Sequence, residues 1–135
     1  MELKIQNLSK HYGTKKALDT FSYTFQEGIY GILGANGAGK STLMNLITDN
    51  VRRTEGSILY NGEEILRLGK KFRRQLGYMP QQQGMYEQFS ARAFLLYMAE
   101  IKGMKRKQAR AEVEQLLHLV NLEGDAHRKL GGFSG

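Results

Sequence analysis

The chain has 135 residues, 41% of them hydrophobic, and a formal net charge of +7, from 20 Lys and Arg against 13 Asp and Glu. That length supports one domain with a sizeable core, not two. With no cysteine, a disulfide framework, a thiolate metal site and a thiol nucleophile are excluded; with no run of ~18 apolar residues and no signal-peptide core, the expected setting is the cytoplasm.

Leu3, Ile5 and Leu8 mark a first short strand, and Tyr12 follows just past its end in Lys10-His11-Tyr12-Gly13. By position alone Tyr12 reads as an ordinary turn aromatic, although such a ring can also stack on a base, a contact of about 1–3 kcal/mol. Phe21, Tyr23 and Phe25 mark a second strand. Residues 29–33, Ile-Tyr-Gly-Ile-Leu, read as a third that runs straight into Gly34-Ala35-Asn36-Gly37-Ala38-Gly39-Lys40-Ser41.

This run is a phosphate-binding loop at a strand-to-helix turn. Glycines at 34, 37 and 39 let the backbone curl with positive φ and turn N–H groups inward, as an anion nest at a helix N-terminus. The helix end contributes about half a positive charge, and Lys40 adds a full one aimed at the β- and γ-phosphates. The Ser41 hydroxyl is a ligand for the magnesium that bridges them. A tight turn that binds nothing has no need of Lys and Ser in register. The helix that follows Thr42 carries Leu43, Leu46 and Ile47 on one face.

Residues 56–60 form a further strand closed by the tight-turn pair Asn61-Gly62. Leu76-Gly77-Tyr78-Met79 reads as an apolar strand that ends at a Pro80-Gln81 corner. Taken alone Gln81 is a surface amide, though one able to present its oxygen to a magnesium ion or a water. After residue 84 the period becomes helical: Phe94, Leu95, Met98 and Ile101 form one stripe, and Val113, Leu116, Leu117 and Val120 a second, both expected to be core. Gly103 separates the two helices, and Asn121 with Gly124 ends the second. The basic clusters Lys70-Lys71, Arg73-Arg74 and 102–110 read as solvated helix faces. Such charge can also meet nucleic acid, anionic headgroups or an acidic partner, but no aromatics interleave to make a base-stacking platform, so no nucleic-acid partner is expected. The last residues, Leu130-Gly131-Gly132-Phe133-Ser134-Gly135, offer a serine between glycines.

In order and spacing this set resembles the nucleotide-binding domain of ATP-binding-cassette (ABC) proteins over essentially the whole chain. Residues 34–42 resemble the Walker A motif, Tyr12 the adenine-stacking aromatic, and Gln81 the Q-loop glutamine. Phe133-Ser134-Gly135 resembles the opening of the Leu-Ser-Gly-Gly-Gln signature, with Phe in place of Leu. The resemblance implies an α/β P-loop NTPase fold with an N-terminal antiparallel β-subdomain and the start of the ATPase core (1–83), and a helical insertion (84–135). It implies ATP and Mg2+ as cofactors, with Tyr12, Gly34, Asn36, Gly37, Gly39, Lys40, Ser41 and Thr42 around the nucleotide and Ser41 and Gln81 at the metal. Lys40 and Gln81 would be the catalytic residues, and Ser134 and Gly135 would reach the γ-phosphate bound by a partner subunit. The implied protein is the ATP-hydrolysing subunit of an export-type ABC transporter. It would be cytoplasmic, peripheral on the inner face of the membrane, bound to a membrane-spanning permease and paired with a second ATP-binding subunit, as a homodimer. A soluble ABC protein acting on ribosomes or DNA and a non-catalytic nucleotide-binding fragment are the alternatives. No Asn-Lys-x-Asp guanine reader occurs.

The family also needs a Walker B strand ending in Asp-Glu and a switch histidine. Glu63, Glu64, Glu112, Glu114 and Asp125 follow no apolar run, and His11, His118 and His127 lie upstream of the switch position. The expectation is therefore an incomplete core, with 29–33 lacking covering strands, that grasps ATP without activating the water. Such a chain reads as a piece of a longer protein.

Overall fold

The computed structural model describes residues 1–80 and 86–133. The chain separates into two compact units, Met1–Tyr78 and Met79–Gly135.

The first unit is built on strands β1 (Leu3–Tyr12), β2 (Lys15–Phe25), β3 (Glu55–Tyr60) and the short β4 (Glu63–Glu64). They form one antiparallel sheet in the order β2-β1-β3-β4. Leu3 and Ile5 share a sheet face, but Leu8 is out of phase with strict alternation by one residue. The chain resolves this with a bulge. Ile5 pairs with Tyr23 and Leu8 with Phe21, and on the other edge Gln6 pairs with Ser57 and Ser9 with Glu55, so three steps on β1 face two on each neighbour. Asn7 takes up the extra residue at φ +48°, which returns Leu8 to the buried face beside Ile5 and Ile58. The bulge is bonded to β2: the Asn7 N–H donates to the Ser22 hydroxyl at 2.8 Å, and the buried Ser9 hydroxyl accepts from the Thr20 N–H at 3.0 Å. Opposite the bulge is Gly56, at φ +85°, where a Cβ would lie 2.4 Å from the Asn7 carbonyl oxygen. The Asn61-Gly62 turn closes β3 onto β4, both residues at positive φ.

Helix α1 (Lys40–Ile47) covers the sheet with Leu43, Leu46 and Ile47, as the i, i+3, i+4 spacing predicts. The short helices α2 (Ile65–Leu68) and α3 (Lys70–Gln75) close the same core with Ile65 and Phe72. At about 1.5–3 kcal/mol for each fully buried aliphatic or aromatic side chain, this cluster is the main stabilising term of the unit. The ion pair Arg53–Glu64, at 3.0 Å and largely shielded from solvent, ties the loop before β3 to β4.

Two sequence-based expectations are corrected. Residues 29–33 form no strand, and Ile29 and Leu33 are fully exposed. Among the described residues no strand runs beside them, and a segment apolar on both faces is stable as a strand only when neighbours take its hydrogen bonds and cover it. Only Tyr30 is anchored, its ring edge-on to Phe25 at 5.0 Å and its hydroxyl accepting from the Gln26 N–H. Residues 76–79 are not a strand either: Leu76 packs on the core, while Tyr78 is exposed with its hydroxyl donating to the Asn45 side chain at 3.4 Å.

The second unit pairs α4 (Ala91–Ile101) with α5 (Arg106–Leu119) and ends in a 3-10 turn, Leu130–Gly132. The Ser90 hydroxyl caps α4 by accepting from the Ala93 N–H. Both helices end on a left-handed residue, Gly103 and Asn121, whose N–H groups return to the carbonyls of Glu100 and His118. The expected apolar stripes are only half right. The buried positions are Ala91 and Ala99 on α4 and Ala109, Val113 and Leu117 on α5, with Leu95 and Leu96 packed against them. Met98, Ile101, Leu116 and Val120 are exposed. Ala91 and Ala99, at i and i+8 on α4 with Leu95 between them, and Ala109 on α5 let the helix backbones approach closely, so the interface forms on this face while Met98 and Ile101 turn outward.

Replacing Gly56 by Ala should destabilise the chain by about 2 kcal/mol or more, from left-handed strain plus the clash with Asn7. Gly62→Ala, at similar φ with open space around it, should cost about 1 kcal/mol. Urea unfolding midpoints check this; equal losses would mean that the bulge and Gly56 are not in contact.

Candidate functional site

The glycine-rich loop leads directly into α1. Gly37 and Gly39 have φ of +87° and +89°, and Gly39 is the N-cap of the helix. No side chain caps α1, and its first turn carries no acidic residue. The first-turn N–H groups therefore lack a side-chain acceptor and present their dipoles toward the loop. Lys40 folds back across that loop: its ammonium donates to the Gly34 carbonyl at 2.5 Å and the Ala35 carbonyl at 2.8 Å. The lysine thereby closes the loop on itself and keeps a full positive charge beside the helix end. A phosphate oxygen offers that ammonium a charged acceptor in place of a neutral carbonyl, a bond roughly twice as strong. Asn36 at the loop tip and Ser41 on the first turn are exposed, and Thr42 is half-buried.

Gly39 also sets where the loop lies. A Cβ there would stand 2.6 Å from the Ala17 carbonyl oxygen and 3.4 Å from the Leu18 side chain. The start of α1 is thus seated directly on the backbone of β2. On the adjoining strand Tyr12 pairs with Lys15, two residues along β2 from Ala17, about 7 Å at strand rise. The fold therefore brings Tyr12 and the loop to the same end of the sheet, although 22 positions separate Tyr12 from Gly34. The Tyr12 ring is 52% exposed, with the Lys10 ammonium 4.7 Å from its centroid. Beside it, Lys16 donates to Asp19 at 2.8 Å. That hydrogen bond holds the Asp19 carboxyl below its usual range and the Lys16 ammonium above its own. Lys10 and the Ala17 carbonyl were not legible as site groups, since one is an ordinary strand lysine and the other is backbone.

Gln81, Ser134 and Gly135 lie outside the described residues. The residues leading to Ser134 are held in place by Arg128, which donates to the Gly132 carbonyl, lies 3.7 Å from the Asp125 carboxylate, and sits 4.9 Å from the Phe133 ring centroid. The N–H groups of Leu130 and Gly131 donate to the carbonyls of Phe89 and Glu87. Sequence reading missed Arg128, whose three partners come from a local fold that no spacing announces. It also missed an aromatic cluster in which Tyr86 stacks on Phe89 at 5.2 Å and meets Tyr97 edge-on at 5.7 Å. Hydrogen bonding to Tyr86 holds the Tyr97 phenol above its usual range.

Among the described residues no three His, Cys, Asp or Glu gather to hold a metal ion. A magnesium ion brought by a nucleotide would find the exposed Ser41 hydroxyl on the first turn of α1 as a hard oxygen donor, the kind of ligand this small cation takes.

A family model described as ABC transporter matches residues 18–135. The chain is 33% identical over 133 residues to the bacitracin transport ATP-binding protein of Bacillus licheniformis, spanning 98% of this chain and 42% of that protein. It is 34% identical over 134 residues to the Nod factor export ATP-binding protein I of Burkholderia thailandensis, spanning 98% of this chain and 44% of the relative. The chain thus spans less than half the length of these curated relatives. Its fold superposes on a solved ATP-binding subunit of an ABC transporter with a TM-score of 0.81 at 24% identity, over 99% of this chain and 56% of that one.

Gly39→Ala should lift the start of α1 off β2. Amide hydrogen exchange at Leu43, Leu46 and Ile47 should speed up by tenfold or more, about 1.4 kcal/mol of local stability, while the β1–β3 ladder keeps its protection. Gly37→Ala, where the space is open, should leave α1 exchange close to that of the parent.

Proposed function

The chain belongs to the ABC transporter family, and from that premise we propose that it is the nucleotide-grasping part of an ATP-binding subunit that couples ATP binding and hydrolysis to export across a membrane. The observation that carries this reading is the arrangement at one sheet end: an uncapped helix start, the Lys40 ammonium resting on the Gly34 and Ala35 carbonyls, and the exposed Tyr12 ring. The loop N–H groups and Lys40 bind the triphosphate, Tyr12 stacks on the adenine, and Asn36 and Thr42 line the loop and the first turn of α1. Bound magnesium would neutralise phosphate charge, with Ser41 and Gln81 as its protein ligands. Gln81 also orients the attacking water.

Phosphoryl transfer depends on positioning and charge neutralisation, and hydrolysis further requires a group to orient and polarise the water. Among the described residues no carboxylate stands at the end of an apolar strand for that task. Ser134 and Gly135 close over the nucleotide of a second, identical subunit, so the productive unit is a dimer, cytoplasmic and peripheral on the inner face of the membrane. The permease docks on the helical unit, a reading supported by the outward cluster of Tyr86, Phe89 and Tyr97. Nucleic acid is not a partner in this reading.

ATP titration of the purified chain tests the grasping site. Lys40→Ala should weaken binding about 10- to 100-fold, the worth of a charged hydrogen bond, and Tyr12→Ala about 5- to 100-fold, the range for base stacking. Unchanged affinity in both variants would sink the proposal. Steady-state hydrolysis by the 135 residues should not exceed that of Lys40→Ala. For the permease, Tyr97→Asp in the full-length protein should abolish co-purification of the co-expressed permease subunit while ATP affinity stays the same.

A further inference from the structure

Between the end of α4 and the start of α5 lies a cleft of about 640 Å³, within the range of small-ligand sites. Its floor is apolar, from Leu96, Tyr97 and Met104, and Arg106 and Arg110 stand on one wall with Glu100 as the only acidic lining residue. Arg106 and Arg110 are one turn apart on the same face of α5. Lys105 and Lys107 flank them, and among the described residues none of these four cations has an ion pair. Of the carboxylates on α5, Glu112 accepts from Gln108 and Glu114 is paired with Arg92 at 2.7 Å. Ile101, next in sequence to the lining residue Glu100, is 57% exposed.

We propose that this cleft and its basic rim bind the phosphodiester headgroup of anionic phospholipid at a bilayer surface. Four unpaired cations complement a field of negative headgroups. The exposed Ile101, which follows the lining Glu100, enters the headgroup–acyl boundary, a combination of charge and apolar contact that membrane-surface elements use. A nucleic-acid backbone would match the charge but gain nothing from exposed aliphatic side chains. An acidic protein segment would match the charge and is an outcome of the test. The inference extends the permease reading, because a permease-bound subunit is held next to lipid, yet it needs no permease to be examined.

The experiment is flotation of the full-length protein with permease-free vesicles of phosphatidylcholine alone or mixed with phosphatidylglycerol. Binding should appear only with phosphatidylglycerol and weaken as salt rises. Arg106→Gln with Arg110→Gln should lower the partition coefficient about thirty-fold, the size expected for two cations at an anionic surface. Lys70→Gln with Lys71→Gln, in the other unit, should leave it unchanged. Ile101→Ser should weaken vesicle binding without altering charge. ATP affinity and far-ultraviolet circular dichroism of each variant confirm the fold. Equal binding to both vesicle types, an inert double arginine variant, or tighter binding to an RNA duplex or an acidic peptide than to anionic vesicles would overturn the proposal. Permease co-purification by the same variants is read separately, so either reading can fail while the other stands.

Discussion

The approach of Gly39 to the Ala17 carbonyl decides where the glycine-rich loop sits. A helix start can present N–H groups only if the chain entering it stays out of their way, and here the approach to β2 leaves no room for a β-carbon. From that seat three things follow. The loop is drawn to the sheet end where β1 finishes, the Lys40 ammonium finds the Gly34 and Ala35 carbonyls within reach, and α1 is angled so that Leu43, Leu46 and Ile47 cover Ile5, Leu8 and Ile58. The binding end of α1 and its core-forming face thus depend on one backbone contact.

The sheet has its own constraint in the Asn7 bulge. Without the extra residue at φ +48°, Leu8 would face solvent and the core would lose one of its fully buried side chains. Gly56 is the counterpart across the strand pair, and Ser9, Thr20 and Ser22 supply the hydrogen bonds that the bulge takes from the ladder. The irregularity sets the register on both edges of β1 around Leu8, and two further shifts between Leu8 and His11 bring Tyr12 opposite Lys15 and near the loop.

The helical unit divides its apolar surface between two tasks. Small residues, Ala91, Ala99 and Ala109, let the helices close on Val113 and Leu117. Larger ones remain on the outside: Met98 and Ile101 are exposed, and Tyr86 and Tyr97 are exposed while packing on each other and on Phe89. The proposed contacts are with protein for the aromatic cluster and with lipid for the basic cleft.

The residues of the loop, the first turn of α1, the Asn61-Gly62 hairpin and the caps at Gly103 and Asn121 were all legible in the sequence, because each depends on φ preferences, charge and hydrogen bonds within a few positions. The ligand class follows from the same local chemistry. The status of residues 29–33, the outward turn of Met98 and Ile101, the bulge at Asn7 and the hold of Arg128 on Gly132 and Phe133 were not. Apolar content makes Ile29 and Leu33 candidates for burial, but burial needs a neighbour, and a helix with two apolar stripes gives no sign of which one its partner will take. Local sequence therefore determined what this protein can grasp, and only tertiary packing decided which apolar surfaces remain free, since that choice is made by residues distant along the chain.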